Sequence, residues 1–163
     1  MGLRAAVITV SDEVASGADA DRGGPVAAAL LGELGCEVTA AVVPDEPPAI
    51  TGAVRAAVAA GARVVVACGG TGIGPRDHTP QVVRGMLAFE IPGIAEEIRR
   101  RGLGHTPLAL VSREVAGVIA GPDHSPVLVL AVPGSRGGVR DALGVVGEQL
   151  GYIIEQLDGA GHA

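Results

Sequence analysis

"ARVVVACGGTGIGPRDHTPQ", residues 62–81, decides the fold. Its first half is an apolar run without polar alternation, the pattern of a strand buried on both faces of a sheet. Its second half is rich in glycine where the strand must stop, and glycine is costly to order. Together they predict a buried parallel strand opening into a loop whose backbone something approaches closely.

Working outward, the same strand pattern recurs in "RAAVITV" (4–10), "CEVTAAVV" (36–43) and "SPVLVLAV" (125–132). Between these lie helical stretches at 24–35, 47–61, 79–87 and 92–103, several opening on proline or closing on glycine as helices do. Residues 135–157 read as one closing amphipathic helix, and 108–121 fits short strands best. Strands alternating with helices predict a three-layer α/β/α fold, Rossmann-like, with a mostly parallel sheet. No linker, repeat or low-complexity tract divides the chain, so residues 1–163 are expected to form one domain.

Composition removes several function classes. The net charge of −6 and the presence of just two aromatic residues, Tyr152 and Phe89, argue against nucleic-acid binding. "RRR" (99–101) follows an acidic helical stretch and reads as a solvated last turn. No lysine is present, which excludes Schiff-base chemistry and a phosphate-binding P-loop lysine. The apolar runs are too short to span a bilayer and the N-terminus lacks a signal peptide's pattern, so a cytoplasmic location is expected. Cys36 and Cys68 lack ligand spacing and read as small buried hydrophobes. His105, His124 and His162 also lack ligand spacing, and no Gly-x-Ser-x-Gly elbow is present.

The strand ends carry the chemistry. The first runs into Ser11 and Asp12, the second into Pro44-Asp45-Glu46, the third into Gly69-Gly70-Thr71-Gly72 and the late strand into Pro133-Gly134-Ser135. In an open parallel sheet these corners share one edge, where ligands bind. Glycine amides and the Thr71 and Ser135 hydroxyls suit oxyanions, although both familiar nucleotide fingerprints fail here. Asp45 and Asp77 would repel a bound phosphate unless a divalent cation such as Mg²⁺ lay between. The alternative is that both are turn or helix-capping residues. His78, next to Asp77, reads as structural or exposed. Arg76, Arg113 and Arg136 are candidates to neutralise anionic charge or are surface residues.

The ordered set "VSD", "SGADADRGGP", "PDE", "GGTGIGPRDHTP", "PGI", "LVSR" and "PGS" resembles the Mog/MoaB family of molybdenum-cofactor biosynthesis proteins, to which the gephyrin G domain is related. The resemblance runs from about residue 5 to 157. It implies a homotrimer that adenylylates molybdopterin with Mg²⁺ and ATP, handing the product to a molybdenum-insertion protein. By motif it implies Asp45 and Asp77 as catalytic and metal-facing acids. It further implies Ser11, Asp12, Gly69, Gly70, Thr71, Gly72, Ser112, Gly134 and Ser135 around the pterin and nucleotide phosphates. The motifs would equally survive in a paralogue that binds molybdopterin without adenylylating it, or in a protein whose glycine corners serve subunit contacts.

Overall fold

The third strand of the sequence is also the centre of the molecule. The computed structural model describes residues 2–160, so His162 lies outside the described residues. In chain order the elements are β1 (Arg4–Val10), α1 (Asp12–Ser16), α2 (Gly23–Glu33), β2 (Glu37–Val43), α3 (Pro47–Ala59), β3 (Val64–Cys68) and α4 (Thr79–Met86). Then come β4 (Phe89–Glu90), α5 (Pro92–Leu103), a 3₁₀ turn (Pro107–Val111), β5 (Val115–Ala120), a short 3₁₀ turn (Pro122–His124), β6 (Pro126–Val132), α6 (Arg136–Gly147) and α7 (Leu150–Leu157).

The sheet order is β2-β1-β3-β6-β5-β4. The first four of these strands run parallel, β5 is antiparallel to β6, and β4 is antiparallel to β5. All five residues of β3 are buried, as its lack of alternation predicts. Ala5, Val7, Val64, Val66, Leu128 and Leu130 face one helical layer, built from α2, α5, α6 and α7. Ala6, Ile8, Val65 and Val129 face the other, built from α3 and α4. From β1 the chain moves outward to β2 and then returns past β1 to β3. Right-handed crossovers in opposite directions put α2 and α3 on opposite faces, which makes the three layers. They also leave a crevice between β1 and β3, at the carboxyl ends of both.

Four readings need correction. β2 is mostly exposed despite its apolar sequence, because it is the sheet's edge strand. The stretch 135–157 is two helices, interrupted at Glu148–Gln149. Of 108–121, just the second half is a strand, and Thr106 caps the 3₁₀ turn before it by accepting from Leu108 N at 3.2 Å. The fourth is that "RRR" is not uniformly solvated. Arg100 and Arg101 do pair with Glu97 on their own helix, but Arg99 turns inward, 3.0 Å from the buried Glu114. Finally, α1 and β4 are too short to leave a periodic signal, and neither was expected.

Candidate functional site

All four strand-end corners meet. A cavity of 490 Å³ lies at the carboxyl edge of the sheet, between β1 and β3. Its wall includes Ser11 and Asp12 after β1, Asp45 after β2, Gly69 and Gly70 after β3, Asp77 from the following loop, and Gly134 and Ser135 after β6.

The glycines are required by the protein's own packing. A Cβ on Gly69, at φ +109°, would collide with the Val10 carbonyl oxygen. One on Gly70, at φ +66°, would collide with the Asp45 carboxylate and the Thr79 hydroxyl. Both backbone angles are in the region that L side chains avoid. At Gly72 and Gly74 an added Cβ would come within 2.9 and 2.8 Å of Asp77 Oδ2. What approaches this backbone closely is therefore β1 and two carboxylates. Several groups expected to hold oxyanions are already engaged. Gly69 N donates to Val132 O at 2.9 Å, Gly74 N to Asp77 Oδ2 at 2.8 Å, and the Ser135 hydroxyl caps α6 by accepting from Gly138 N at 3.1 Å.

Asp45 is 4 % exposed and is not a helix cap. Its Oδ1 accepts from His78 N at 3.0 Å and lies 3.0 Å from His78 Nδ1. A carboxylate can accept and not donate, so His78 carries its proton on Nδ1 when this bond forms. His78 is thus half-buried against Asp45. Among the described residues Oδ2 of Asp45 has no hydrogen-bond partner, and Asp45 lines the cavity. Burial raises the pKa of Asp45 above its ordinary value, the bonds from His78 oppose this, and the nearby Asp77 adds to the rise. Asp77 likewise does not cap α4; its Oδ2 accepts from Gly74 inside the loop and its Oδ1 has no partner among the described residues. The capping alternative thus fails for both, while Asp45 does sit in a bend, closed by Glu46 N donating to Pro44 O at 2.9 Å, and Asp77 keeps a local loop bond.

Asp12 holds this arrangement from the other side. Its Oδ1 accepts from Asp45 N at 3.0 Å, while Arg76 donates Nε to Oδ2 at 3.0 Å and Nη2 to Oδ1 at 2.9 Å. The Arg76 hydrogen bonds, followed by that from Asp45 N, lower the Asp12 pKa. Six carboxylates line the cavity against two guanidiniums, those of Arg22 and Arg76. Both arginines are already paired, Arg22 with Asp19 at 3.0 Å.

Three expected residues, Thr71, Gly72 and Ser112, lie apart from this cavity's wall. Thr71 is buried, with its hydroxyl 3.4 Å from that of Ser112, and Gly72 lies beside it. Ser112 lines a second cavity of 390 Å³ between α5, the 3₁₀ turn at 107–111 and the start of α6. Ser135 lines both cavities and so joins them. Cys68 is part of the first cavity's wall, but burial pushes its thiol up to about 12, so it is inert at neutral pH. Arg136 is at the exposed first turn of α6.

Sequence reasoning missed Asp21. Its Oδ2 accepts from the Thr9 hydroxyl at 2.7 Å and its Oδ1 from Gly24 N at 3.0 Å, bringing a further acid to the cavity. The signal was present: an acid three residues ahead of the glycine it bonds is a capping spacing. Gly24 must be glycine because a Cβ there would strike both Asp21 and Thr9.

Comparison with known proteins identifies the family. The sequence profile described as "probable molybdopterin binding domain" matches residues 6–151. The chain belongs to that family, the Mog/MoaB family. A molybdenum cofactor biosynthesis bifunctional protein of Synechococcus elongatus is 37 % identical over 99 % of this chain and 49 % of its own length. A molybdopterin adenylyltransferase of Pyrococcus furiosus is 34 % identical over 91 % of this chain and 88 % of its own. The chain thus spans about half the length of the bifunctional relatives it matches. The solved structure of the tungsten cofactor synthesizing protein MoaB from Pyrococcus furiosus superposes with a TM-score of 0.89 at 30 % identity, covering 96 % of this chain and 97 % of that one. Among the described residues no helix is long and apolar enough to cross a membrane.

Proposed function

We propose that the chain acts in molybdenum cofactor biosynthesis by transferring the adenylyl group of ATP to molybdopterin. The observation that carries this reading is the meeting of Asp45 and Asp77 at one cavity, each with an unpartnered carboxylate oxygen. Molybdopterin's terminal phosphate attacks the α-phosphorus of ATP, a new P–O bond forms, the bond to the bridging oxygen breaks and pyrophosphate leaves. A phosphate monoester with a second pKa of about 6 is largely ionised at neutral pH, so no general base is required. This fits a site without a His–Ser or Cys–His pair. The barrier is one anion approaching another, and the protein's task is positioning and charge compensation.

The donor set suits Mg²⁺. Asp45 and Asp77 offer hard carboxylate oxygens at one cavity, and Mg²⁺ characteristically takes one or two carboxylates together with substrate phosphates and water. Asp45 Oδ2 and Asp77 Oδ1 are the groups that would hold it. The excess of carboxylates would repel a nucleotide on its own, and the bound ion would neutralise phosphate charge there. The glycine corners then bring backbone close to the ligand, with Ser11, Asp12, Gly69, Gly70, Gly134 and Ser135 in the wall, while Thr71, Gly72 and Ser112 face the pterin side. The homotrimer and a downstream molybdenum-insertion partner belong to the same proposal. Leu108 and Leu110, 74 % and 71 % exposed, leave apolar surface for subunit contact, which sedimentation would test.

Incubating the purified protein with molybdopterin, Mg²⁺ and labelled ATP tests the reaction. Adenylylated pterin and pyrophosphate are expected. Asp45→Asn and Asp77→Asn should each lower turnover by about 10²–10³-fold, the scale for losing one charge-stabilising group. Molybdopterin binding without any AMP transfer by the wild-type chain would instead identify a binding paralogue.

A further inference from the structure

We propose that Arg113 is a positioning residue that presents Asp77 to the cavity, held in place by the buried Arg99–Glu114 pair. The proposal rests on the nucleotide-binding reading of the site above.

Because β5 is antiparallel to β6, its amino end, not its carboxyl end, lies at the cavity edge, where Val115 pairs with Ala131. Residues 112–114 are therefore delivered beside the loop that follows β3. Arg113 uses three groups on that loop. Its backbone N–H donates to Thr71 O at 2.8 Å, its Nε to Gly72 O at 2.7 Å and its Nη2 to Asp77 O at 3.0 Å. One guanidinium thus spans both ends of the exposed stretch 73–76. Without it, the bonds within the stretch are Asp77 N to Gly74 O at 3.1 Å and Gly74 N to Asp77 Oδ2 at 2.8 Å. Those two bonds shape a turn; Arg76 ties it to Asp12 after β1 and His78 N ties its far end to Asp45, so Arg113 is its tie to the antiparallel side, joining Gly72 O to Asp77 O.

Arg113 is itself anchored from behind. Arg99 donates Nε to Ser112 O at 3.0 Å and places Nη2 3.0 Å from Glu114 Oε2. The Glu114 side chain is 2 % exposed, and Oε2 has no well-directed hydrogen bond. An ion pair buried in this way leaves an uncompensated charge if either member is removed. Arg113 thus commits its Nε and one Nη2 donor to carbonyl oxygens of the loop. A lysine keeps the charge but offers no planar fork, so it cannot satisfy two carbonyls in fixed geometry.

The test compares wild type with Arg113→Lys and Arg113→Met. Amide exchange in the unliganded protein is read at Gly74 and Asp77, and Mn²⁺ binding is read by paramagnetic resonance in the presence of ATP. Both variants should exchange these amides at least about tenfold faster and bind Mn²⁺ about tenfold more weakly, the scale of one lost hydrogen bond to a charged group. In turnover, Arg113→Lys should lower kcat while leaving KM for molybdopterin near wild type. Wild-type exchange in Arg113→Lys overturns the proposal, and so does faster exchange with unchanged Mn²⁺ affinity. If Arg113→Met fails to fold, the lysine variant still decides. If the wild-type chain binds no Mn²⁺ with ATP, the nucleotide reading fails, and exchange at Asp77 alone decides whether Arg113 holds the loop.

Discussion

The two sides of β6 solve the same problem in opposite ways. On one side, β2, β1, β3 and β6 are parallel, and each delivers its carboxyl end to the cavity. On the other, β5 runs backwards and delivers its amino end, carrying Ser112, Arg113 and Glu114. The parallel side supplies the cavity's carboxylates and glycines. The antiparallel side supplies the arginine clamp and the second cavity. The rim is thus assembled from chain ends of both polarities, and strand direction decides which residues arrive there.

One glycine on each side breaks this comparison most directly. Gly70→Ala forces a left-handed residue into the space of Asp45 and Thr79. Strain of that kind costs about 1–3 kcal/mol before the collision is counted. We expect a fall in Tm of roughly 10 °C, taking about 2–4 °C per kcal/mol for a chain of this size, together with loss of nucleotide binding. Gly117→Ala on β5 meets the Phe89 carbonyl of β4, but at an ordinary backbone angle. Since β4 is a two-residue exposed edge strand, it can shift away. Its variant should lose less stability and retain nucleotide binding. Equal damage to binding in both, measured by calorimetry, would mean that the two sides are not separate in function.

The parallel side was also the more legible in sequence. β1, β3 and β6 announce themselves as continuous apolar runs, and their polar corners fall where the cavity is. Asp45 and Asp77 were found because a carboxylate in a glycine or proline turn is conspicuous. The antiparallel side gave less. β4 has two residues, too few for any period, and the 3₁₀ turn before β5 has no repeating pattern to read. The function of Arg113 was illegible for a different reason. Its partners are carbonyl oxygens, which every residue possesses, so no side-chain type marks them. The glycines are legible in the same limited way: sequence says that something comes close, and the structure shows the chain itself coming close.

Asp45→Asn sharpens the contrast through stability rather than activity. The folded protein raises the pKa of this acid by burial. Its contribution to stability is therefore complete below the ordinary value of 3.8 and is lost as pH rises through the higher folded value. At pH 7 the buried charge is a liability, and an amide can still accept from His78 N. The variant should melt higher than wild type at pH 7, with the gain shrinking as the pH approaches 3.8. An active-site acid that stabilises the fold at neutral pH would contradict the geometry described for Asp45.

Glu97, on α5 beside the antiparallel half, should behave with the opposite sign. Hydrogen bonds from Arg100, chiefly, lower its pKa from 4.5 to about 2. Its contribution is present above 4.5 and is lost as pH falls through about 2. The pair is exposed, so solvent screens it and the effect is the smallest of the set. Glu97→Gln should lower Tm slightly at pH 7 and at low salt, with the difference vanishing at pH 2 or in concentrated salt. Measured side by side, the two variants move Tm in opposite directions at neutral pH. Asp45 at the cavity is held there at a cost to the fold, whereas Glu97 on the outer helix supports it, and a shift of the same sign in both would erase that distinction.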